Sequence, residues 1–115
     1  MQSVRSNHRF REVYSNGVSV ADSLLVVYKL PNNLNISRLG ITVSGKVGNA
    51  VVRNRQKRRL KEIFRLNYNA IKTGYDIIVI VRVKAGESDY GALCGSVMRL
   101  LKKQSLMIKE GGQAK

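Results

Sequence analysis

Acidic side chains are scarce in this chain: seven Asp and Glu stand against 21 Lys and Arg, a formal net charge of +14. Glu12, Asp22, Glu62, Asp76 and Glu110 are scattered, and only Glu87 and Asp89 share one loop. Metal-dependent phosphodiester cleavage needs carboxylates grouped to hold two ions, so no such centre is expected. A metal-free ribonuclease commonly pairs histidines as acid and base. His8 is alone, at the start of a helix, where a capping or solvated histidine is the commoner case. Cys94 is the only cysteine, which excludes an internal disulfide and a Cys-based zinc site. Its apolar helical surroundings mark it as core. Tryptophan is absent, and no apolar run approaches the ~20 residues of a spanning helix. The start, MQSVRSNHRF, lacks the apolar stretch of a signal peptide. The expectation is a cytoplasmic protein with no membrane partner and no self-sufficient active site.

What is abundant is positive charge, and it is concentrated. Seven of the thirteen residues from Arg53 to Arg65 are Lys or Arg, against one acid, Glu62. Apolar residues still recur there at helical spacing: Val52, Leu60, Ile63 and Phe64 fall on one side of a 3.6-residue wheel. Asn54, Arg58, Lys61 and Arg65 fall on the opposite side, with Arg53, Arg55, Lys57 and Arg59 flanking them. One helix therefore carries a buried face and a cationic face. Like charges at i,i+4 destabilise an isolated helix by roughly 0.2–0.5 kcal/mol per pair, so packing, a polyanion or both must offset the repulsion. A solvated charged face usually mixes its signs, and this one barely does. A basic domain with a core points to nucleic acid, and Lys and Arg that neutralise phosphates supply affinity without sequence information.

At 115 residues the chain is expected to form one domain, 1–115, around one core, with 1–5 and 110–115 disordered. The spacing predicts a helix over 7–15, with Phe10, Val13 and Tyr14 on one face and Ser6 or Asn7 as N-cap. Strands are predicted at Leu24–Leu30, near Arg38–Val43, and at Asp76–Val83, the last apolar enough to lie centrally. The basic helix should start near Asn49, after Gly45 and Gly48. A last helix should span Ser88–Lys103, with Tyr90, Leu93, Cys94, Val97 and Leu101 facing inward. This order suggests an α+β fold, a two-layer α/β sandwich.

Aromatic residues make up only 6% of the chain, yet Phe10 and Tyr14 lie one turn apart on the first helix and Tyr28 lies on the first strand. Bases of single-stranded RNA stack on such side chains beside cationic grooves, at roughly 1–3 kcal/mol per base. An i,i+4 aromatic pair on an amphipathic helix is more often core, and the residues alone leave both roles open. Asn54 is equally open: an exposed helical Asn, or a neutral group that fixes a phosphate, a base edge or a hydrated metal ion.

The segment KVGNAVVRNRQKRRLKEIFR closely resembles the signature of the bacterial ribonuclease P protein component. Its Arg-Asn-Arg core followed by x-Lys-Arg stands here as Arg53-Asn54-Arg55-Gln56-Lys57-Arg58. SRLGITVSGKVGNAV, FREVYSNGVSVADSLLVVY and DIIVIVR resemble the family's neighbouring segments, so the similarity covers roughly residues 7–100. The resemblance implies an αβββαβα order with a left-handed βαβ crossover, against the usual hand. It implies a protein subunit that binds a catalytic RNA and assists removal of the 5′ leader from precursor tRNA, with Mg²⁺ held mainly by the RNA.

By position, the resemblance assigns Phe10, Tyr14 and Tyr28 to a cleft that holds the single-stranded leader. It assigns Lys46, Arg53, Asn54, Arg55, Lys57 and Arg58 to contacts with the catalytic RNA, and Lys61 and Arg65 continue the same cationic stripe. Arg38 and Arg82 also fit basic positions of the family. Gly45 stands where a second Lys often precedes Lys46, and Lys84 where Pro is common. A structural RNA-binding protein of ribosomal type is the competing reading, and no DNA partner is expected.

Overall fold

The computed structural model describes residues 1–108. Its first helix, α1 (Asn7–Asn16), is capped by the Ser6 hydroxyl, which accepts from the Arg9 N–H at 3.3 Å and satisfies one orphan donor of the first turn. Five strands form one sheet: β1 (Gln2–Ser3), β2 (Val18–Ala21), β3 (Leu25–Pro31), β4 (Arg38–Val43) and β5 (Tyr75–Val81). Their spatial order is β1-β4-β5-β3-β2. β2 pairs antiparallel with β3 and β3 with β5, whereas β4 runs parallel to both β5 and β1. Parallel neighbours need a crossover, and α2 (Ala50–Leu66) supplies it between β4 and β5. α3 (Tyr90–Lys103) follows β5. After β1, the order is helix, three strands, helix, strand, helix.

Side chains alternate across a strand, and the two faces here have different roles. Leu25 and Val27 of β3, Leu39 of β4, and Ile77, Val79 and Val81 of β5 join Leu60, Ile63 and Phe64 of α2 and Leu93, Val97, Leu100 and Leu101 of α3 in one core. This layer of α2 and α3 against the sheet is the main sandwich. The opposite face presents Tyr28, Arg38, Gly40, Thr42, Asp76 and Ile78, and α1 lies across it with Val13 fully buried. Only β5, flanked by β3 and β4, is nearly buried on both faces, as its unbroken apolar run requires.

Several boundaries differ from the sequence expectation. Residues 1–5 are not wholly without order: β1 pairs Gln2 with Arg38 and Ser3 with Leu39, and Val4 is buried and donates to the Leu39 carbonyl at 2.9 Å. The tail 110–115 lies outside the described residues. β2 has no predicted counterpart, because VSVA is too short and too exposed for a pattern to show. β5 ends at Val81 because the chain turns into a 3₁₀ segment over Val83–Glu87. α3 begins two residues later than expected, with Asp89 as N-cap accepting from the Ala92 N–H at 2.8 Å. Tyr90 is consequently at the first turn and exposed rather than inward.

Candidate nucleic-acid interface

α2 sorts its residues as the wheel requires. Leu60, Ile63 and Phe64 are fully buried, while Asn54, Arg58, Lys61 and Arg65 are all exposed. Asn49 caps the helix, its Oδ1 accepting from the Val52 N–H at 3.0 Å. Arg53 folds back over the preceding turn and donates to the Gly48 carbonyl at 3.0 Å. Lys46 is exposed in that turn, held in place by its buried neighbour Val47, which packs against Gly86. Arg65 is partly neutralised by Glu62, which accepts from its Nε and Nη2 at 2.9 and 2.8 Å. That pairing lowers the Glu62 pKa and raises that of Arg65. Lys46, Arg53, Arg55, Lys57, Arg58 and Lys61 have no acidic partner among the described residues. The Arg55 Nε is enclosed with no hydrogen-bond acceptor among those residues.

The cationic residues do not all look the same way. Lys57, Lys61 and Arg65 line a groove of about 370 Å³ whose other lining includes Phe10 of α1 and Leu39, Gly40 and Ile41 of β4. The groove continues past Phe10 and Lys57 into a more open stretch bordered by Tyr14, Thr42 and Val43. α1 and α2 lie on opposite faces of the sheet, so this groove wraps the outer edge of β4. Its α1 wall is aromatic, with the Phe10 and Tyr14 centroids 6.2 Å apart. Tyr28 of β3 meets Tyr14 edge-on at 5.2 Å but lines neither stretch of the groove itself. All three rings are half-buried, neither sealed in the core nor free in solvent. The Tyr14 hydroxyl shares a 2.8 Å hydrogen bond with Thr42 Oγ1, which fixes the ring over β4.

Polar contacts also attach α1, beside the burial of Val13. Asp76 of β5 is fully buried and accepts from Arg9 Nε at 2.6 Å, Arg38 Nε and Nη2 at 2.8 and 2.7 Å, and Asn32 Nδ2 at 2.9 Å. Burial alone would raise the Asp76 pKa, but these hydrogen bonds from Arg38, Asn32 and Arg9 outweigh it and lower the value to about 2. Arg9 also donates to the Pro31 carbonyl at 2.9 Å. Arg38 is therefore a structural cation bound to Asp76. Arg82 is exposed and donates to the Asp22 carbonyl at 2.7 Å.

A family model described as ribonuclease P matches residues 1–105. The chain belongs to the ribonuclease P protein family. The ribonuclease P protein component of Alkaliphilus metalliredigens is 45% identical over 104 residues, covering 90% of this chain and 94% of that protein. That of Clostridium novyi is 48% identical over 105 residues, covering 90% and 93%. The RNase P protein of Staphylococcus aureus has a TM-score of 0.88 at 36% identity, covering 94% of this chain and 99% of that one. The Thermotoga maritima protein gives 0.82 at 34%, covering 90% and 97%.

Within the ribonuclease P motif, Gln56 is the residue whose role sequence reasoning missed. It stands between Arg55 and Lys57, outside the residues that carry the resemblance, and it is fully buried. Its Nε2 donates to the Ala85 and Ser88 carbonyls at 2.6 and 3.0 Å, tying α2 to the segment before α3. The wheel could have shown it, since Gln56 precedes Leu60 by four and Ile63 by seven. Gly40 and Thr42 were also missed. Neither stands out until the register puts them beneath Phe10 and Tyr14.

Proposed function

We propose that this chain, a ribonuclease P protein subunit by family, grips the catalytic RNA with the outer side of α2 and holds the 5′ leader of precursor tRNA in the groove. The single observation that carries this reading is the pairing of unlike walls. Half-buried aromatic rings on α1 face unpaired cations on α2 across a groove open to solvent. A single strand needs both, since bases stack and phosphates attract cations. A sealed core needs neither. The outer residues Lys46, Arg53, Asn54, Arg55 and Arg58 then face the catalytic RNA, while Lys57, Lys61 and Arg65 border the groove.

Cleavage belongs to the RNA. No three His, Cys, Asp or Glu side chains come together as a metal-holding group among the described residues. Asp76, Asp22 and Glu62 are each committed to arginines or backbone donors. The Mg²⁺ that the family implies is assigned, as part of this proposal, to the RNA subunit. Among the described residues no helix is long and apolar enough to cross a membrane. The family membership makes the cytoplasm the proposed compartment. Processing of precursor tRNA by the catalytic RNA at low Mg²⁺, with and without the chain, tests the proposal. Stimulated leader removal supports it. Binding without stimulation would favour a ribosomal-type protein, and cleavage by the protein alone would contradict the account.

A further inference from the structure

The groove has a floor as well as walls, and the floor is backbone. β1 pairs with β4 only at Arg38 and Leu39, and the Val4 N–H donates to the Leu39 carbonyl. Beyond Leu39 the outer edge of β4 has no strand beside it among the described residues. N–H and C=O groups of successive strand residues point to opposite sides. Since Leu39 addresses β1, Gly40 and Thr42 address β5, and Ile41 and Val43 direct their N–H and C=O outward. Ile41 lines both stretches of the groove and Val43 the more open one, in company with Lys57 and Phe10, and with Tyr14 in the open stretch. An open sheet edge is a template for hydrogen bonding and is normally blunted or covered. Here the α1 and α2 walls keep another folded sheet away without filling the edge.

We propose that the open edge of β4 is a second recognition element for single-stranded RNA, in which the N–H and C=O of Ile41 and Val43 bond base edges while Phe10 and Tyr14 stack on base faces. This rests on the leader reading above. The occupant is a nucleic acid rather than a peptide strand because the facing wall carries Lys57, Lys61 and Arg65, with Glu62 alone to offset them among the described residues. The outward groups repeat every two residues, roughly 6.6–6.8 Å along the strand, comparable with the phosphate step of an extended single strand. Each such residue offers one donor and one acceptor. Any base can satisfy such a pair in some orientation, so the contact tolerates sequence variation. β1 ends the edge at Leu39 and so limits how many nucleotides it meets.

The test replaces Ile41, and separately Val43, by the matching α-hydroxy acid, which exchanges the outward N–H for oxygen and keeps the side chain. In the reconstituted holoenzyme, each ester should weaken leader-bearing precursor relative to mature tRNA by about two- to tenfold, the value of one hydrogen bond. Phe10→Ala is the parallel arm. Loss of discrimination with Phe10→Ala but not with either ester overturns the edge proposal and leaves the leader reading standing. No loss in any arm overturns both. Amide exchange of the full chain, free and with oligouridylate, gives a measurement independent of ester folding. Ile41 and Val43 should exchange fast when free and slow at least severalfold on binding, with Gly40 and Thr42 protected throughout. Unchanged exchange at Ile41 and Val43 in bound protein would contradict the proposal.

Discussion

Phe10 rests directly on the backbone of Gly40: a Cβ added at Gly40 would stand 2.6 Å from Phe10 Cζ and 3.3 Å from Ile78 Cγ1. The ring reaches the groove because β4 has no side chain beneath it. Gly40→Ala should push the ring off its seat and reduce the affinity of the holoenzyme for leader-bearing precursor by about tenfold, within the roughly 1–3 kcal/mol of a stacked base. Mature tRNA should bind as before. Equilibrium binding of the two ligands reads the difference.

Asp76 gives a pH-dependent prediction. Its folded pKa is lowered to about 2, so it stabilises the fold fully above the ordinary carboxylate range near 3.8. That contribution is lost as pH falls through this range towards 2. Urea melts between pH 5 and pH 2 should show stability declining over that window. Asp76→Asn should flatten the decline. At neutral pH it should cost towards the lower end of the ~3–5 kcal/mol for breaking a buried pair, since Arg9 and Arg38 keep partial solvent contact.

Gln56 offers a separation of stability from binding. Gln56→Leu keeps the buried volume but removes the donors to the Ala85 and Ser88 carbonyls. Two lost hydrogen bonds should cost roughly 1–3 kcal/mol, a Tm drop of roughly 5–15 °C. Arg59 loses one acceptor, Gln56 Oε1, but keeps the Ser88 carbonyl, and Asn54, Arg58, Lys61 and Arg65 are untouched, so affinity for the catalytic RNA at temperatures below the melt should change little.

Salt dependence reports on the cationic face. If about five phosphates are contacted, log K for the catalytic RNA should fall against log[salt] with a slope of about −3.5 to −4.5. Arg58→Ala should make the slope shallower by about 0.7–0.9. Arg38→Ala should instead destabilise the fold, because Arg38 is spent on Asp76.

Periodicity made α2 legible, because Leu60, Ile63 and Phe64 must be buried and the intervening charges cannot be. β5 was legible through its apolar run, and β4 through its β-branched content between breaks. β1 and β2 were not, since two and four residues carry no usable pattern and pairing alone makes them strands. The site was readable only in part. Charge named α2, but aromatic spacing could not distinguish a groove from a core. That depends on α1 lying across the sheet face opposite α2, a tertiary relation set by Arg9 reaching Asp76 67 residues away. Arg38 likewise resembled a free cation until β4 and β5 were in register.

The central claim is that the ring-lined groove holds the leader, and one comparison tests it most directly. Leader-bearing precursor and mature tRNA are titrated against holoenzyme carrying the native chain, Phe10→Ala or Tyr14→Ala. The account predicts weaker precursor binding by roughly 5- to 150-fold, matching 1–3 kcal/mol of stacking, with mature tRNA unaffected. Equal weakening of both ligands, or of neither, would contradict it.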